Sequence, residues 1–489
     1  MKLDFGFTDS VYDKLWYRTM CEKSEGRDMH ITIPWQCEKI LKRFSDNGIE
    51  AYLVGGCVRD SLLGKTPKDW DICTEALPEQ VIALFQNEKV ILTGLKHGTV
   101  TVLLGAMPVE ITTYRIDGEY EDNRHPKEVF FTGSLREDLS RRDFTINALA
   151  YHPDKGVIDY FDGIGDLNRG LIRCVGDAVS RYQEDGLRIM RAVRFACVLN
   201  FQFEEQTEAA IKEYSYLLRN IAKERIQVEF DKILTSSWAM YGLETLARLD
   251  CFPYFLPEIC HTWQFTQEGG LHQYDVFGHT LRMVNLVPAE VVLRLAALLH
   301  DIGKPYVWQM VDGKDEFPQH EVVSAELAEQ ILERMRYDKK TIARVKMLIS
   351  EHTRGLLPKE HNMRRAIADI GVDGVQQLIQ IKRADIQAHN DILAKEPLSI
   401  FDDMEALLQQ ILDRGDCCTL KQLAVSGKEI TALGCKGKAV GDVLDFLLDI
   451  VLKNPDCNEK QYLLEQARNY MKTLYEQKRT KRSMYDAGI

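Results

Sequence analysis

A glycine turn followed by two closely spaced carboxylates constrains this 489-residue chain more than any other feature. Gly55 and Gly56 precede Arg59, and Asp69 and Asp71 follow a short distance along the chain. On a strand, residues i and i+2 point to the same face of the sheet. Two carboxylates on one face, beside a turn whose backbone can hold phosphates, are typical of a site for a divalent metal and a nucleoside triphosphate. This pattern predicts phosphoryl-group chemistry.

Strand and turn signals are concentrated in the first third of the chain. The predicted elements are helices over 31–48, 58–63 and 78–85, strands over 51–54 and 69–73, and a hairpin over 100–104 and 109–114. Glu110, on the second strand of that hairpin, is a candidate third carboxylate for Mg²⁺. After about residue 170 the periodicity becomes helical. The expected fold class is α+β, with a small mixed-sheet head followed by a long all-helical neck, body, HD domain and tail.

The composition argues against several classes of protein. No apolar run approaches the roughly 18 residues that span a membrane, and the N-terminus lacks an apolar signal core. The 12 cysteines are scattered without CxxC pairs, which is typical of reduced thiols, so we expect a cytoplasmic protein without membrane contact. A net charge of -12 argues against bulk nucleic-acid binding, but not against local basic patches.

A known family shares these motifs in the same order. The motif over residues 55–60, followed by Asp69-x-Asp71, resembles the head of the class II polymerase-β-type nucleotidyltransferases, which include bacterial CCA-adding enzymes and bacterial poly(A) polymerases. In this interpretation Asp69, Asp71 and Glu110 are catalytic and hold Mg²⁺. The Gly55-Gly56 backbone and Arg59 hold the phosphates.

The next match is Arg141-Arg142-Asp143, followed by Asn147. In the family this segment contacts the sugar and phosphates of the incoming nucleotide. Arginines pair with phosphate, and a carboxylate accepts hydrogen bonds from ribose hydroxyls. The four residues are therefore candidate nucleotide-binding residues.

Base selection is expected at a Glu-Asp-x-x-Arg motif. Asp185 and Arg188 stand at i and i+3, which predicts that they share one helix face. An aspartate can accept from the amino group of cytosine or adenine, and an arginine can donate to ring acceptors. This pairing explains selection of CTP and ATP. Arg191 and Arg194 extend a basic stripe suited to phosphate contact.

Three further segments resemble parts of the same family. Residues 159–163 resemble a hinge in which Gly163 and Gly165 permit unusual backbone angles. The polar loop 117–128, with Asp122-x-Arg124-x-Pro126, resembles the loop needed to add the final A. Glu224-Arg225, followed by Glu229, resembles a motif that supports the neck helices.

A second constellation of metal-binding residue types follows in the helical part. His300-Asp301 closes a predicted apolar helix over 291–299, His320 begins another helix, and His352 ends a third. The ordered pattern resembles an HD-family phosphohydrolase domain, whose ligands here would be His279, His300, Asp301, His320, His352 and Asp385. Imidazole and carboxylate ligands suit Mn²⁺, Ni²⁺, Co²⁺, Fe²⁺ or Zn²⁺.

The C-terminal part resembles the tail of CCA-adding enzymes that carry an HD domain. Lys428, Lys436 and Lys438 lie in this part and are candidates for tRNA phosphate contact. The expected segments are an extension (1–30), the nucleotidyltransferase head (31–165), a helical neck and body (166–270), the HD domain (271–395) and a tRNA-binding tail (396–489).

The resemblance implies template-independent addition of the 3′-terminal CCA to tRNA from CTP and ATP, by a two-metal mechanism that releases pyrophosphate. An HD phosphohydrolase activity on RNA 3′ ends would be a second activity. Two alternatives stay open, a poly(A) polymerase and an HD-type metal-dependent phosphohydrolase whose head only binds RNA. The sequence leaves open whether the protein is a monomer or a homodimer.

Overall fold

The computed structural model describes residues 30–118, 129–266, 274–390 and 398–486. It divides into two compact units, Met1–Cys260 and His261–Ile489. The predicted extension and the loop segment with Asp122, Arg124 and Pro126 lie outside the described residues. The division into five segments is finer than these two units and stays a prediction.

The first unit contains a mixed seven-stranded sheet. The strands of the chain are β1 (Ala51–Val54), β2 (Asp71–Thr74), β3 (Lys89–Ile91), β4 (Thr99–Leu104), β5 (Met107–Thr113), β6 (Arg115–Asp117), β7 (Val129–Phe131), β8 (Leu149–His152), β9 (Gly156–Asp159), β10 (Leu171–Ile172), β11 (Gln202–Phe203), β12 (Gln309–Val311) and β13 (Lys314–Glu316). The large sheet has the order β3-β4-β5-β2-β1-β8-β9. Only β2 and β5 pair in parallel within it, and the other neighbours are antiparallel.

The helices of the first unit occur between the strands of the large sheet and after its last strand. They are α1 (Trp35–Asp46), α2 (Gly56–Leu62), α3 (Pro78–Leu84), α4 (Leu135–Ser140), α5 (Gly163–Arg169), α6 (Ala178–Glu184), α7 (Leu187–Leu199), α8 (Glu205–Tyr214), α9 (Lys223–Leu234) and α10 (Ala239–Arg248). In α1 the apolar spacing buries Cys37, Ile40, Leu41 and Phe44 on one side, as the predicted amphipathic helix requires. The predicted α+β class is confirmed.

Strand β2 begins two residues later than predicted. Asp71 lies opposite Glu110 in the parallel pairing of β2 and β5. The same register would place Asp69 opposite Pro108, which has no N–H to donate to a ladder. Asp69 therefore lies in a bend before the strand and is exposed. The prediction that a single strand carries both aspartates is wrong.

The turn after β1 needs its first glycine. Gly55 has φ 75°, and its N–H donates to Leu149 O at 3.1 Å, which ends β1 and starts α2. A Cβ at this position would also lie 2.8 Å from Arg142 Nη1. The backbone can therefore approach that arginine only where no side chain is present.

The hinge segment uses its glycines differently from the prediction. The left-handed residue there is Asp162, with φ 61°, whereas neither Gly163 nor Gly165 has a positive φ. Gly163 is required for space, because a Cβ would lie 2.3 Å from Thr145 O and 2.9 Å from Leu149 Cδ2.

The second unit is helical apart from the β12–β13 hairpin. Its helices are α11 (Val276–Leu286), α12 (Val291–Leu299), α13 (Lys304–Val307), α14 (His320–Arg334), α15 (Lys339–Glu351), α16 (Glu360–Ile370), α17 (Val372–Ala388), α18 (Ser399–Arg414), α19 (Gly427–Ala432), α20 (Ala439–Lys453) and α21 (Lys460–Asp486). The predicted positions of His300, His320 and His352 at helix ends are confirmed. Within the described part of the chain, no helix is both long and apolar enough to cross a bilayer.

Replacing Gly163 by alanine is expected to destabilise the first unit. The added methyl group would overlap Thr145 O, and relieving such an overlap typically costs about 2 kcal/mol. We expect Gly163→Ala to lower the urea midpoint of the first unit, followed by circular dichroism. Gly133→Ala is the matched control, because a Cβ there meets nothing within 4 Å. Equal midpoints for the two variants would contradict this packing argument.

Candidate active site and candidate metal centre

Two carboxylates face each other across adjacent strands of the head. Asp71 on β2 and Glu110 on β5 are direct register partners. Burial, followed by the charge of Glu110, raises the pKa of Asp71 to about 6, with Asp69 adding to the effect and Arg142 opposing it. A bound divalent cation would relieve this repulsion, and carboxylate oxygens are the ligands that Mg²⁺ prefers. The donor set therefore fits the predicted metal.

The predicted head residues come together in one cleft with a volume of about 520 Å³. All of them line it except Asp69, which is close enough for its charge to raise the pKa of Asp71. The lining residues that were predicted are Gly55, Gly56, Arg59, Asp71, Glu110, Arg141, Arg142, Asp143, Asn147, Asp185, Arg188, Arg191 and Arg194.

A chain of side-chain hydrogen bonds crosses the cleft wall. Arg59 Nη1 donates to Asn147 Oδ1 at 2.6 Å, and Asn147 Nδ2 donates to Asp143 Oδ1 at 3.0 Å. Arg191 Nε donates to Asp143 Oδ2 at 2.8 Å. Burial alone would raise the pKa of Asp143, but the Arg191 charge and the Asn147 hydrogen bond hold it well below its usual value. Asp143 is therefore ionised and orients both arginines.

A second buried carboxylate, Asp138, was not predicted. It accepts from Arg141 Nη2 at 2.8 Å and from Arg142 Nη2 at 3.4 Å. Burial opposes ionisation of Asp138, but the two arginine charges lower its pKa. Asp138 lies on α4, just before the Arg141-Arg142-Asp143 motif. There the sequence pattern predicts only an ordinary helix start with acidic residues. Its hydrogen bonds hold in position the two arginines that line the cleft.

Asp185 and Arg188 do not share a helix, so that prediction is wrong. Asp185 caps the end of α6, and Arg188 is in the first turn of α7. Arg225 forms two hydrogen bonds to Asp185, at 2.7 and 3.2 Å, and Arg188 Nη1 pairs with Glu184 at 2.5 Å. The turn between the helices still brings both side chains to the cleft.

The basic stripe on α7 is paired with carboxylates. Arg194 pairs with Glu229, and Arg191 pairs with Asp143 and lies 3.8 Å from Glu229. The ring of Phe195 lies under three guanidinium groups, 3.7 Å from Arg194, 4.9 Å from Arg59 and 5.5 Å from Arg191. Phe195 lines the cleft, but as an apolar helix residue it carried no sequence signal of a site.

In the second unit, the six predicted metal ligands form two adjacent groups of three. In each group one ligand atom from every residue lies within 4.8 Å of the others. The groups are His279, His300 and Asp385, and Asp301, His320 and His352. Asp301 stands between them, because its Oδ2 lies 3.1 Å from His300 Nε2 and its Oδ1 lies 3.4 Å from His320 Nε2.

Backbone carbonyls orient three of the histidines. Nδ1 of His300, His320 and His352 lies 2.9, 2.9 and 2.6 Å from a carbonyl oxygen three residues earlier in the chain. This contact favours the tautomer in which Nε2 carries a lone pair that faces the cluster, as metal-binding histidines usually have. The donor set therefore fits one or two divalent metals.

The pKa directions of His352, Asp301 and Asp385 agree with a metal centre. At His300 burial opposes the charge and hydrogen bond of Asp301 and the charge of Asp385, which together raise the pKa. Burial and the nearby His300 lower the pKa of His352 to about 4, which keeps it neutral. Burial opposes ionisation of Asp301 and Asp385, but the neighbouring histidines hold the pKa of each below its usual value. Lys304, whose Nζ lies 2.7 Å from Asp301 Oδ2, is a further member of the site that was not predicted.

Three family matches cover much of the chain. Residues 51–173 match the Poly A polymerase head domain, residues 200–262 match the probable RNA and SrmB-binding site of polymerase A, and residues 272–396 match the HD domain. Both the head domain and the HD domain imply dependence on a divalent metal.

Several curated proteins that match this chain are named CCA-adding enzymes. One from Leuconostoc mesenteroides subsp. mesenteroides is 50% identical over 220 residues, which is 45% of this chain and 54% of that protein. One from Bacillus cytotoxicus is 48% identical over 213 residues, 44% of this chain and 53% of that protein. The match thus spans about half the length of these curated relatives.

A solved structure matches over nearly the whole chain. The crystal structure of the Bacillus stearothermophilus CCA-adding enzyme in complex with CTP has a TM-score of 0.69 and 29% identity, covering 91% of this chain and 100% of that one. The fold and the family matches define a head domain of the Poly A polymerase type, followed along the chain by an HD domain. The predicted resemblance to the nucleotidyltransferases that include the CCA-adding enzymes is confirmed.

Metal binding in the head is expected to weaken in acid. Because the pKa of Asp71 is raised to about 6, this carboxyl is mostly protonated below pH 6. It must then lose its proton before it can bind a cation. We expect Mg²⁺ affinity to fall about tenfold per pH unit below pH 6. Isothermal titration calorimetry would measure it in a His300→Ala, Asp301→Ala variant that lacks the second site.

The control for this titration is Glu110→Gln. Removing the Glu110 charge lowers the pKa of Asp71, so the midpoint of the pH dependence should move to lower pH, although fewer ligands remain. Equal Mg²⁺ affinity at pH 5 and pH 7.5 would contradict the assignment of Asp71 as a ligand.

Proposed function

We propose that this protein adds the 3′-terminal CCA to tRNA from CTP and ATP. The observation that carries the proposal is the cleft, which is lined by carboxylates on two paired strands and by a group of arginines. The names of its relatives, and the CTP bound to the related structure, support the same substrates. Its partner is tRNA. All 11 described cysteines are free thiols, which supports a cytoplasmic location.

The reaction joins the tRNA 3′-hydroxyl to the α-phosphate of the nucleotide, and pyrophosphate leaves. Asp69, Asp71 and Glu110 would hold Mg²⁺, which lowers the pKa of the attacking hydroxyl and neutralises charge on the triphosphate. Arg59 and Arg142 face the same cleft, where they attract the phosphates and orient them for in-line attack.

Base choice is assigned to Asp185 and Arg188. Arg225 and the N–H of Leu187 hold the Asp185 carboxylate, whose remaining lone pair can accept from the amino group of cytosine or adenine. Arg188 Nη2 donates to Arg141 O at 2.9 Å, so its guanidinium has a defined orientation toward the cleft. Uracil and guanine present no matching amino group, so this arrangement selects CTP and ATP.

A second activity is proposed for the HD centre. The two adjacent groups of ligands would hold two divalent ions, with Asp301 between them; Mn²⁺, Ni²⁺, Co²⁺, Fe²⁺ and Zn²⁺ suit these ligands. Such a centre supplies hydroxide for attack on a phosphoester. Hydrolysis of a 2′,3′-cyclic phosphate adds water, breaks the ring bond between phosphorus and O3′, and leaves a 2′-monophosphate and a free 3′-hydroxyl. This reaction would prepare an RNA 3′ end for nucleotide addition.

The decisive experiment incubates the protein with tRNA lacking its terminal CCA, Mg²⁺ and labelled CTP or ATP, with single-nucleotide resolution of the products. Growth by three nucleotides, with A added only after two Cs, supports the proposal. Growth by two Cs alone indicates a CC-adding enzyme, and long A ladders indicate a poly(A) polymerase. No growth would leave the HD centre as the site of chemistry and the head as an RNA-binding module.

Asp71→Asn is expected to lower nucleotide addition by about a thousandfold, because the amide keeps the shape of the side chain but loses its charge toward the cation. Binding of tRNA, measured by filter retention, should stay within about twofold of the unaltered protein. The surface variant Asp46→Asn, on α1, is the control for a lost carboxylate elsewhere. Addition at the normal rate by Asp71→Asn would rule out the proposed role.

The two activities are expected to separate by mutation. His300→Ala removes one ligand from the HD centre, so hydrolysis of 2′,3′-cyclic AMP with Ni²⁺ or Mn²⁺ should fall at least a hundredfold. Addition of CCA by the same variant should stay near normal, and Asp71→Asn should show the reverse pattern. Loss of both activities in both variants would argue that one site serves both reactions.

A further inference from the structure

A group of three aromatic side chains, one exposed and two partly exposed, stands beside the HD centre, and no activity proposed above uses it. The aromatic patch consists of Phe265, Trp308 and Phe317. The ring centroid of Phe265 lies 6.5 Å from that of Trp308 and 6.2 Å from that of Phe317. Trp308 is 48% exposed although it is among the largest apolar side chains. An exposed aromatic ring beside two partly exposed ones offers a surface on which a flat base can stack.

The patch is continuous with the metal ligands. Nδ1 of His320 lies 2.9 Å from Phe317 O, so the backbone of the patch orients a ligand. Lys304 Nζ lies 5.3 Å from the Phe317 ring centroid and 2.7 Å from Asp301 Oδ2. A cation therefore stands between the aromatic rings and the carboxylate at the middle of the cluster. A ligand with a phosphate at the cluster would meet an aromatic surface next to it.

The β12–β13 hairpin holds Trp308 in place. Asp312 and Gly313 both have positive φ, 49° and 73°, as a tight two-residue turn requires. Trp308 Nε1 donates to Asp315 Oδ1 at 2.8 Å, across the hairpin. This hydrogen bond fixes the ring and satisfies its polar atom. The remaining exposed surface of the indole is suited to stacking rather than to hydrogen bonding.

The charges near the patch favour one terminal base over a long RNA. The hairpin carries Asp312, Asp315 and Glu316 against a single lysine, Lys314. Phosphates running along it would be repelled, whereas a neutral base would not. The cation at Lys304 lies next to the Phe317 ring of the patch and next to the metal ligand Asp301. This division matches a nucleotide, with its base on the rings and its phosphate at the centre.

We propose that the aromatic patch stacks the base of a nucleotide whose phosphoester occupies the HD centre. The substrate class is then a nucleoside phosphoester at an RNA 3′ end, and base-free phosphoesters are poor substrates. This inference rests on the proposed phosphohydrolase function, and it assigns Trp308 as a residue that sets substrate specificity. Aromatic stacking of one base typically contributes about tenfold or more to affinity.

The first test compares two substrates of the same ring chemistry. Trp308→Leu should raise KM for 2′,3′-cyclic AMP about tenfold, with kcat nearly unchanged. Its kinetics with methyl riboside 2′,3′-cyclic phosphate, which has no base, should not change. Trp308→Phe keeps a stacking ring and should restore most of the affinity. Trp35→Leu, at an exposed tryptophan of the head, is the matched control. Equal effects on both substrates would overturn the proposal.

The second test needs no catalysis. 2-Aminopurine riboside 3′-monophosphate loses fluorescence when its base stacks, so metal-free protein should quench it and Trp308→Leu should not. If the unaltered protein hydrolyses neither cyclic phosphate, the phosphohydrolase proposal fails. The stacking proposal is then tested by the quenching measurement alone. Equal quenching by both proteins, or none by the unaltered one, would overturn it and leave the patch for an apolar protein partner.

Discussion

Ionised carboxylates with little access to solvent determine the geometry of the nucleotide cleft. A carboxylate can be buried only when cations and hydrogen-bond donors compensate it. Asp138 is fully buried and held by Arg141 and Arg142, and Asp143 is held by Arg191. The same pairs keep guanidinium groups close together that would otherwise repel one another. The arginines that line the cleft therefore depend on two acids, of which Asp143 also lines the cleft and Asp138 does not.

The cleft is also lined by a pair of carboxylates that repel each other. Asp71 and Glu110 face each other on neighbouring strands, and Arg142 is the arginine that lowers the pKa of Asp71. A cation bound at these two carboxylates would relieve their repulsion. The cleft thus combines a carboxylate pair with a group of arginines, as the proposed binding of a triphosphate together with its metal requires. Under that proposal, the local group of arginines explains how a chain with net charge -12 would hold an anionic nucleotide.

Local patterns predicted the parts of the structure that depend on neighbouring residues. The glycine turn at Gly55, the hairpin around Gly105 and the helix that ends before His300 follow from backbone angles and apolar periodicity within one element. Positions determined by the register between strands could not be predicted in this way. Asp69 lies outside β2 because Pro108, distant in sequence, would be its partner. The pairing of Asp185 with Arg225, rather than with a neighbour on one helix, is a second example.

The residues that were missed share a physical property. Asp138, Phe195 and Lys304 orient, cover or balance the predicted residues, and they do so from behind or beside them. Such a task requires only the right charge or shape in the right place, so many sequence patterns can fulfil it. A residue that touches substrate must instead have one particular chemical group, which is why its pattern is recognisable. The residues that would contact substrate are therefore recognisable as sequence motifs. The residues that hold them in position can be identified only in the folded chain.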